Sequence, residues 1–338
     1  MHHPAFANDP LRDEVFTYAR WGLAWTTQRT YSSGEKSFVT FCLMNRLVSD
    51  RGDILPASEG TLIYFASHLA RTVRHSTIKT YLAAVRNLHI SCGHGDPLMG
   101  KLLLKKVLRG ILRYQGQRRI LRQPVTPGTL IAIRPILEAW LGEGDFSMVW
   151  AAFTLAFYGF LRCSEFTYPG VHSFRPQFDL GTDCVSFYPS LVCPQHIVVT
   201  LKSSKTDFSR RGQSVAIAKA PGTVCAVSVM QQFFLTTRPS RGPLFSFRSG
   251  RLLTRSAVIC LLRDAARCAA LPYHSLKGHS FRIGAASTAA AAGLPDWLIK
   301  VLGRWSSDCF QLYIRTPQQV LLSAAPRMAG VSSPDSLA

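Results

Sequence analysis

Apolar residues recur at helical spacing through the first third of the chain. The clearest stretch is Ser76–His89, in which Ile78, Leu82, Val85 and Leu88 form one apolar stripe. Similar patterns predict three further helices, over Thr30–Cys42, over Ser58–Ala70 with Ser58 as N-cap, and over Gly100–Arg113. This part of the chain is therefore predicted to be helical throughout.

The second half of the chain mixes helical and strand patterns. Helices are predicted over Thr129–Leu141, Phe146–Tyr158, Ser256–Ala269 and His279–Ala292, from Pro295 to about Leu302, and over Gln318–Met328. Alternating β-branched residues predict strands over Val185–Phe187, His196–Leu201 and Gln213–Ala218, with a long polar hairpin over Lys202–Gly212. The expected fold class is mainly α with a small antiparallel β-sheet.

The predicted elements divide the chain into two domains. Residues 11–116 form a helical domain, and residues 128–316 form an α+β domain. The basic stretch 117–127 carries two prolines and little periodicity, which is typical of a linker. Residues 1–10 carry no pattern and are expected to be a loose end, and residues 317–338 form a C-terminal tail that includes the predicted 318–328 helix.

The charge balance narrows the class of partner. The chain has 39 Lys and Arg against 19 Asp and Glu, a net charge of +20 in 338 residues. Such a surface attracts a polyanion, and nucleic acid is the usual one. Charge alone does not separate DNA from RNA, or an enzyme from a binding protein.

Cysteine usage and hydropathy indicate a soluble protein of a reducing compartment. The nine cysteines include no CxxC pair and no cluster with zinc-like spacing, so they are expected to be reduced core residues. The longest apolar stretch, Phe146–Leu161, is shorter than the roughly 20 residues of a membrane span. No signal-peptide pattern is recognised at the start of the chain.

Several polar residues have the chemistry needed to cut a phosphodiester. His279 and Arg282 are three residues apart and emerge on one helical face. Arg162 closes an apolar run and has Glu165 three residues on to orient it. Taken alone, His279 with Arg282 is better explained as a surface coincidence, and Arg162 with Glu165 as a structural ion pair.

The remaining candidates are a lysine and a tyrosine. Lys205 lies at the bend of the predicted hairpin, where a lysine can deliver a proton, although Lys202 competes for that role. Tyr313 is a possible nucleophile, but an unperturbed phenol has a pKa of about 10 and needs cationic neighbours or a base. Taken alone, Tyr313 is more often a core or rim residue.

The order of these residues resembles the tyrosine recombinase and phage-integrase family, which includes Cre and the Xer proteins. The phrases that carry the resemblance are YGFLRCSE, LKSSKTD, KGHSFRIGAAS, GLPDWLIKVLGRW and LYIRTP. They cover most of residues 150–316, and the helices of 11–116 resemble the family's core-binding domain more loosely. These motifs are most similar to those of the recombinases of eukaryotic DIRS-type retroelements and Cryptons.

The resemblance implies a role for each matching position. Arg162 and Arg282 would grip the scissile phosphate, with Glu165 supporting the first arginine. Lys205 would protonate the 5′ leaving oxygen, and His279 would assist proton transfer. Tyr313 would form the 3′-phosphotyrosyl link.

The sixth position of the resemblance stays open between two residues. Trp305 matches the place where most relatives have His and Cre has Trp, and an indole N–H can donate to a phosphate oxygen. However, Trp305 precedes Tyr313 by eight positions instead of the family's usual nine, and Arg304 stands at nine. Arg304 is therefore the rival donor.

The resemblance implies a site-specific DNA recombinase or integrase of a mobile element. It would act on double-stranded DNA without ATP, metal or other cofactor, as a tetramer on paired sites, and in the nucleus of a eukaryote. The two domains would clamp the duplex, with the 318–328 stretch as a candidate for docking on a neighbour. Basic residues expected to face DNA are Lys79, Arg86, Lys202, Arg118 and Arg119.

Three alternatives remain open at this level. A domesticated protein would keep the fold and the DNA affinity without recombination. A type IB topoisomerase would use the same chemistry to relax supercoils without a second DNA site. A basic RNA-binding protein would form no covalent complex.

Overall fold

The computed structural model describes residues 11–49, 52–116, 122–203, 207, 211–315 and 322. The chain divides into two compact units, Met1–Arg119 and Ile120–Ala338. The division falls inside the predicted 117–127 linker. Lys205, Arg118, Arg119 and all of the predicted 318–328 helix except Leu322 lie outside the described residues.

The described part of the first unit consists of helices. They are α1 (Arg12–Trp21), α2 (Trp25–Met44), α3 (Glu59–Leu69), α4 (His75–Ser91) and α5 (Leu102–Gln115). The predicted N-cap is confirmed, because the Ser58 side chain accepts a hydrogen bond from the backbone N–H of Thr61 at 3.0 Å.

The core of this unit forms where the apolar faces of α2, α3 and α4 meet. Ile78, Leu82 and Val85 of the predicted stripe are buried, and the Phe38 and Phe65 rings pack edge to face 5.2 Å apart. The apolar periodicity of α4 therefore identified the buried face correctly.

The second unit combines helices with one sheet. Its helices are α6 (Pro127–Trp140), α7 (Glu143–Tyr158), α8 (Cys163–Phe166), α9 (Ala226–Thr237), α10 (Arg255–Cys268), α11 (Ser280–Ala291) and α12 (Asp296–Leu302). Short 3-10 helices cover Thr182–Cys184 and Asp308–Leu312. Among the described residues, no helix is both long enough and apolar enough to cross a membrane.

The sheet has three antiparallel strands in the order β1 (Val185–Tyr188), β2 (His196–Leu201) and β3 (Gln213–Ala218). Ile197 pairs with Ile217 in the central ladder. Ile197, Val199 and Leu201 alternate with more exposed residues, so β2 buries one face against the core. The predicted strands and the antiparallel pairing of β2 with β3 are confirmed, whereas residues 204–206 and 208–210 of the predicted hairpin lie outside the described residues.

Helix α11 lies deep in the second unit. Phe281 packs edge to face on Phe153 of α7 with ring centroids 5.0 Å apart. A Cβ on Gly284 would overlap the carbonyl of Val125, so glycine is needed for this close approach. The Val125 backbone N–H also donates to the Ser280 carbonyl at 3.0 Å.

This contact places the end of the predicted linker in the second unit. Residues 117–127 were expected to connect the domains, but Val125 is fully buried in the core of the second unit. Thr126 is the N-cap of α6, where it accepts a hydrogen bond from the backbone N–H of Thr129. An isolated valine between polar residues and prolines has no periodicity that could indicate its burial.

Candidate active site

Glu165 is a buried carboxylate that holds Arg162. The chain leaves α7 at Gly159, and α8 begins just after Arg162, so Glu165 lies in the first turn. The Arg162 backbone N–H donates to one oxygen of Glu165 and the Arg162 Nη1 donates to the other, both at 2.8 Å. Side-chain exposure is 2% for Glu165 and 14% for Arg162, so this ion pair is largely removed from water.

Arg304 is the second cation on the same carboxylate. Its Nη2 donates to Glu165 Oε2 at 2.8 Å, and its Nη1 donates to the Gly159 carbonyl at 2.9 Å. Arg304 has a left-handed backbone with φ of 55°, which is uncommon for a residue with a side chain. Glu165 therefore bridges two arginines that are 142 positions apart in sequence.

Arg282 is the most deeply buried cation of the site. It lies in the first turn of α11, is 1% exposed, and its Nη1 donates to the Phe160 carbonyl at 2.7 Å. Its Nη2 donates to the Gly303 carbonyl. Burial, and next the charge of Arg162, lower the pKa of Arg282 to about 9, which leaves the guanidinium protonated at neutral pH.

Trp305 links this arginine to Tyr313. The Arg282 Cζ lies 4.1 Å from the Trp305 ring centroid, within the range of a cation–π contact. The Trp305 and Tyr313 ring centroids are 5.4 Å apart. A Cβ on Gly303 would overlap the indole, so the glycine makes room for this ring.

The backbone on either side of Tyr313 is held against α11. Tyr313 directly follows the 3-10 helix Asp308–Leu312. The Ser287 hydroxyl donates to the Tyr313 carbonyl at 3.1 Å and accepts from the Arg315 N–H at 3.0 Å. These hydrogen bonds hold the backbone at Tyr313 in place, and the Tyr313 side chain is half-buried.

His279 also lies beside Tyr313. The two ring centroids are 6.4 Å apart. Burial lowers the pKa of His279 to about 4, and the charges of Arg122, Arg255, Arg282 and Arg162 add to this effect. A neutral imidazole can accept a proton at neutral pH. Its buried Nδ1 has no hydrogen-bond partner among the described residues.

The second unit thus brings together most of the sequence-predicted site. Arg162, Glu165, His279, Arg282, Arg304, Trp305 and Tyr313 form one cluster of contacts, which we call the arginine–tyrosine cluster. Lys205 is the one predicted catalytic residue that lies outside the described residues.

The other described DNA-binding candidates are not in the cluster. Lys202 donates to Asp183 at 2.8 Å and to the Pro176 carbonyl at 3.0 Å, so its ammonium is held by protein acceptors. Arg86, in the first unit, is half-exposed and pairs with Asp96 at 2.7 Å. Lys79 is exposed on α4.

Two basic residues near His279 were not predicted from the sequence. Arg122 and Arg255 are exposed cations close enough to His279 to lower its pKa. The Arg255 Nε lies 3.1 Å from the place where a Cβ of Gly278 would be. Neither arginine belongs to a quoted motif, so only the folded chain relates them to His279.

A basic face on the first unit was also missed. Helix α5 was predicted, but its four exposed cations were not singled out: they are Lys105, Lys106, Arg109 and Arg113. Residues three, four or seven positions apart lie on the same side of a helix. This spacing, which recurs among the four cations, could have indicated a cationic face.

The arginine–tyrosine cluster has the components of phosphoryl transfer. Guanidinium groups neutralise the non-bridging oxygens of a phosphate, a phenol can attack phosphorus, and a neutral imidazole can take up the phenolic proton. Among the described residues, no group of three or more His, Cys, Asp or Glu is arranged to hold a metal ion.

One curated protein shows clear sequence similarity to the chain. It is an integrase/recombinase xerD homolog from Selenomonas ruminantium, 24% identical over 278 residues, which are 78% of this chain and 73% of that protein. No family profile matches the chain.

Several solved structures share the fold at low sequence identity. XerH site-specific recombinase bound to palindromic difH substrate aligns with a TM-score of 0.60 and 13% identity, over 89% of this chain and 79% of XerH. A lambda integrase dimer bound to a COC′ core site aligns with a TM-score of 0.57 and 12% identity, over 89% and 94%.

The integrase of transposon Tn1549, in complex with transposon right end DNA, aligns with a TM-score of 0.52 and 12% identity, over 91% of this chain and 95% of the integrase. The second unit contributes the small antiparallel sheet and the first contributes the helical domain. The fold is that of the two-domain tyrosine recombinases.

Proposed function

We propose that this chain is a site-specific DNA recombinase that cuts and rejoins DNA through a covalent bond to Tyr313. The observation that carries the proposal is that the Tyr313 ring contacts both His279 and Trp305, where Trp305 in turn covers Arg282. The similarity to an integrase/recombinase over most of the chain supports the same reaction.

In the first step, the Tyr313 oxygen attacks the scissile phosphorus. A P–O bond to tyrosine forms, the P–O bond to the 5′ oxygen breaks, and DNA is left with a 3′-phosphotyrosine and a free 5′-hydroxyl. Arg162 and Arg282 neutralise the charge that develops on the non-bridging oxygens. His279 takes the phenolic proton, and Lys205 supplies the proton to the leaving 5′ oxygen.

In the second step, the 5′-hydroxyl of a partner strand attacks the phosphotyrosine. The new phosphodiester forms as the bond to Tyr313 breaks, so the phosphodiester bond is exchanged without an external energy source. In this account, Trp305 fills the sixth position. Its ring packs over Arg282 and beside Tyr313, and its indole N–H is a donor for a phosphate oxygen.

We also propose the biological setting of the reaction. The wording of LRCSE, SKTD and GRWSS supports an origin in a eukaryotic mobile element of the DIRS or Crypton type, and hence action in the nucleus. A transposon integrase among the similar structures is in line with such an element. Strand exchange between two sites calls for four protomers, one for each strand cut, and thus a tetramer on double-stranded DNA.

The proposal is tested with nicked duplexes of randomised sequence, in which the short strand beyond the cleavage point diffuses away and traps the covalent intermediate. The wild-type chain is expected to give an adduct that survives denaturing electrophoresis, and Tyr313→Phe is expected to bind DNA without forming it. Tyr188→Phe, at an exposed position of strand β1, is the matched control. DNA binding without any wild-type adduct would instead support a domesticated binding protein.

The DNA sequence of the trapped adducts, read from the randomised duplexes, then provides a substrate that separates recombination from DNA relaxation. A recombinase requires two copies of that sequence for strand exchange, whereas a type IB topoisomerase relaxes plasmids that carry none. Preference for RNA over DNA in competition at fixed salt would contradict both readings.

A further inference from the structure

Arg304 is the cation whose role the proposed reaction leaves undefined. It stands nine positions before Tyr313, at the place where it could compete with Trp305 as a donor to the phosphate. The structure describes every residue of the arginine–tyrosine cluster, and among them Arg304 alone has a left-handed backbone. Its hydrogen bonds distinguish direct contact with DNA from an indirect role.

Both terminal nitrogens of Arg304 are already bound to protein acceptors. Nη1 donates to the Gly159 carbonyl at 2.9 Å and Nη2 donates to Glu165 at 2.8 Å. The side chain is only 7% exposed, and its Nε is shielded from solvent. A phosphate would reach this guanidinium only by displacing Glu165, so Arg304 is poorly placed as a donor to DNA.

Glu165 connects Arg304 to an arginine that is more open. Arg162 is twice as exposed as Arg304, at 14%, and donates to Glu165 through Nη1 and through its backbone N–H. An aspartate or glutamate with a single partner can rotate about its side-chain torsions. Both oxygens of Glu165 accept hydrogen bonds from Arg162, and Arg304 adds a second charged partner on Oε2 from a different part of the chain, which restricts the carboxylate further.

We propose that Arg304 is a positioning residue, which acts through Glu165 to hold the Arg162 guanidinium in the orientation that binds the scissile phosphate. The left-handed backbone at Arg304 turns its side chain toward Glu165, while the next residue, Trp305, packs on Arg282. Neighbouring residues thus serve the two phosphate-binding arginines separately. This inference rests on the proposed function, which assigns Arg162 to the phosphate.

The variants for testing this role are Arg304→Gln, which removes the charge, and Arg304→Lys, which keeps a cation for Glu165. Arg267→Gln removes an exposed arginine of α10 that is 61% exposed and serves as control. In single-turnover cleavage of the recovered nicked duplex, Arg304→Gln is expected to be slower by about 100-fold, the cost typical of a small misplacement of a catalytic group. Arg304→Lys is expected to restore most of the rate.

A substrate with a methylphosphonate at the scissile position separates positioning from general damage. This group replaces one charged oxygen by a methyl, so there is less charge for Arg162 to neutralise. The defect of Arg304→Gln is therefore expected to be much smaller on the methylphosphonate than on the phosphate. An equal defect on both substrates, or equal rates for Arg304→Gln and Arg304→Lys, would overturn the proposal.

A second readout does not depend on cleavage. Inorganic phosphate is expected to raise the melting temperature of the wild-type chain, and the part of this rise that Arg162→Gln abolishes reports the arginine site. Arg304→Gln should lose that part and Arg304→Lys should keep it. If the wild-type chain forms no covalent DNA adduct but the phosphate responses are as expected, the proposed function is wrong. If phosphate raises the melting temperature of Arg304→Gln as much as that of the wild-type chain, the role of Arg304 is wrong.

Discussion

Replacing Glu165 by glutamine tests whether one carboxylate holds the cations of the site together. The substitution keeps the shape of the side chain and removes its charge, so Arg162 and Arg304 lose their shared anion. Because the Glu165 side chain is 2% exposed, water screens these ion pairs little. Arg282, which is buried nearby, adds a third positive charge to the unbalanced cluster.

The expected loss is large for a single neutral substitution. Removing one partner of a buried ion pair typically costs about 3–5 kcal/mol, because the remaining charge stays buried without compensation. For a domain of roughly 200 residues, each kcal/mol lowers the melting temperature by about 2–4 °C, so the predicted decrease is about 6–20 °C.

Thermal unfolding followed by circular dichroism measures this decrease. Glu138→Gln, at an exposed position of α6, is the matched control and is expected to leave the melting temperature nearly unchanged. The reasoning is refuted if Glu165→Gln melts with the Glu138→Gln control.

Two further predictions concern α11 and its N-terminus. Gly284→Ala is expected to destabilise the chain by about 1–3 kcal/mol in urea unfolding, since its Cβ overlaps the Val125 carbonyl, whereas Gly110→Ala, with open space around it, should be neutral or stabilising; equal effects would contradict the packing of α11. The lowered pKa of His279, about 4, means that the unfolded chain binds a proton below about pH 6.5 while the folded chain stays neutral down to about pH 4. The unfolding free energy should therefore rise with pH across this window, and His279→Gln should flatten the slope; an unaltered slope would show that His279 is not the titrating group.

Local pattern was sufficient for the elements that bury one face. The strands His196–Leu201 and Gln213–Ala218 were predicted with the bounds that the structure has, because alternation reports burial directly. Helix α9, Ala226–Thr237, was not predicted. Its sequence AVSVMQQFFLTT combines β-branched and aromatic residues, which favour strands as well as buried helices.

The partners of the site residues were less accessible to sequence reasoning. Glu165 was expected to support Arg162, three positions away, because a local pair is visible in the sequence. Its second partner, Arg304, is 139 positions away, and their contact depends on a left-handed backbone that arginine seldom adopts. Spacing alone made Arg304 a rival to Trp305; the hydrogen bonds instead direct it to the interior of the protein.

The central claim is that Tyr313 becomes covalently attached to DNA, and mass spectrometry of the trapped adduct tests it most directly. Trypsin releases residues 305–315 as one peptide, in which Tyr313 is the only tyrosine. After nuclease digestion, the account predicts a nucleotide attached through a 3′-phosphate to this peptide and to Tyr313 within it. A nucleotide on another tyrosine, or an adduct that persists in Tyr313→Phe, would contradict the account.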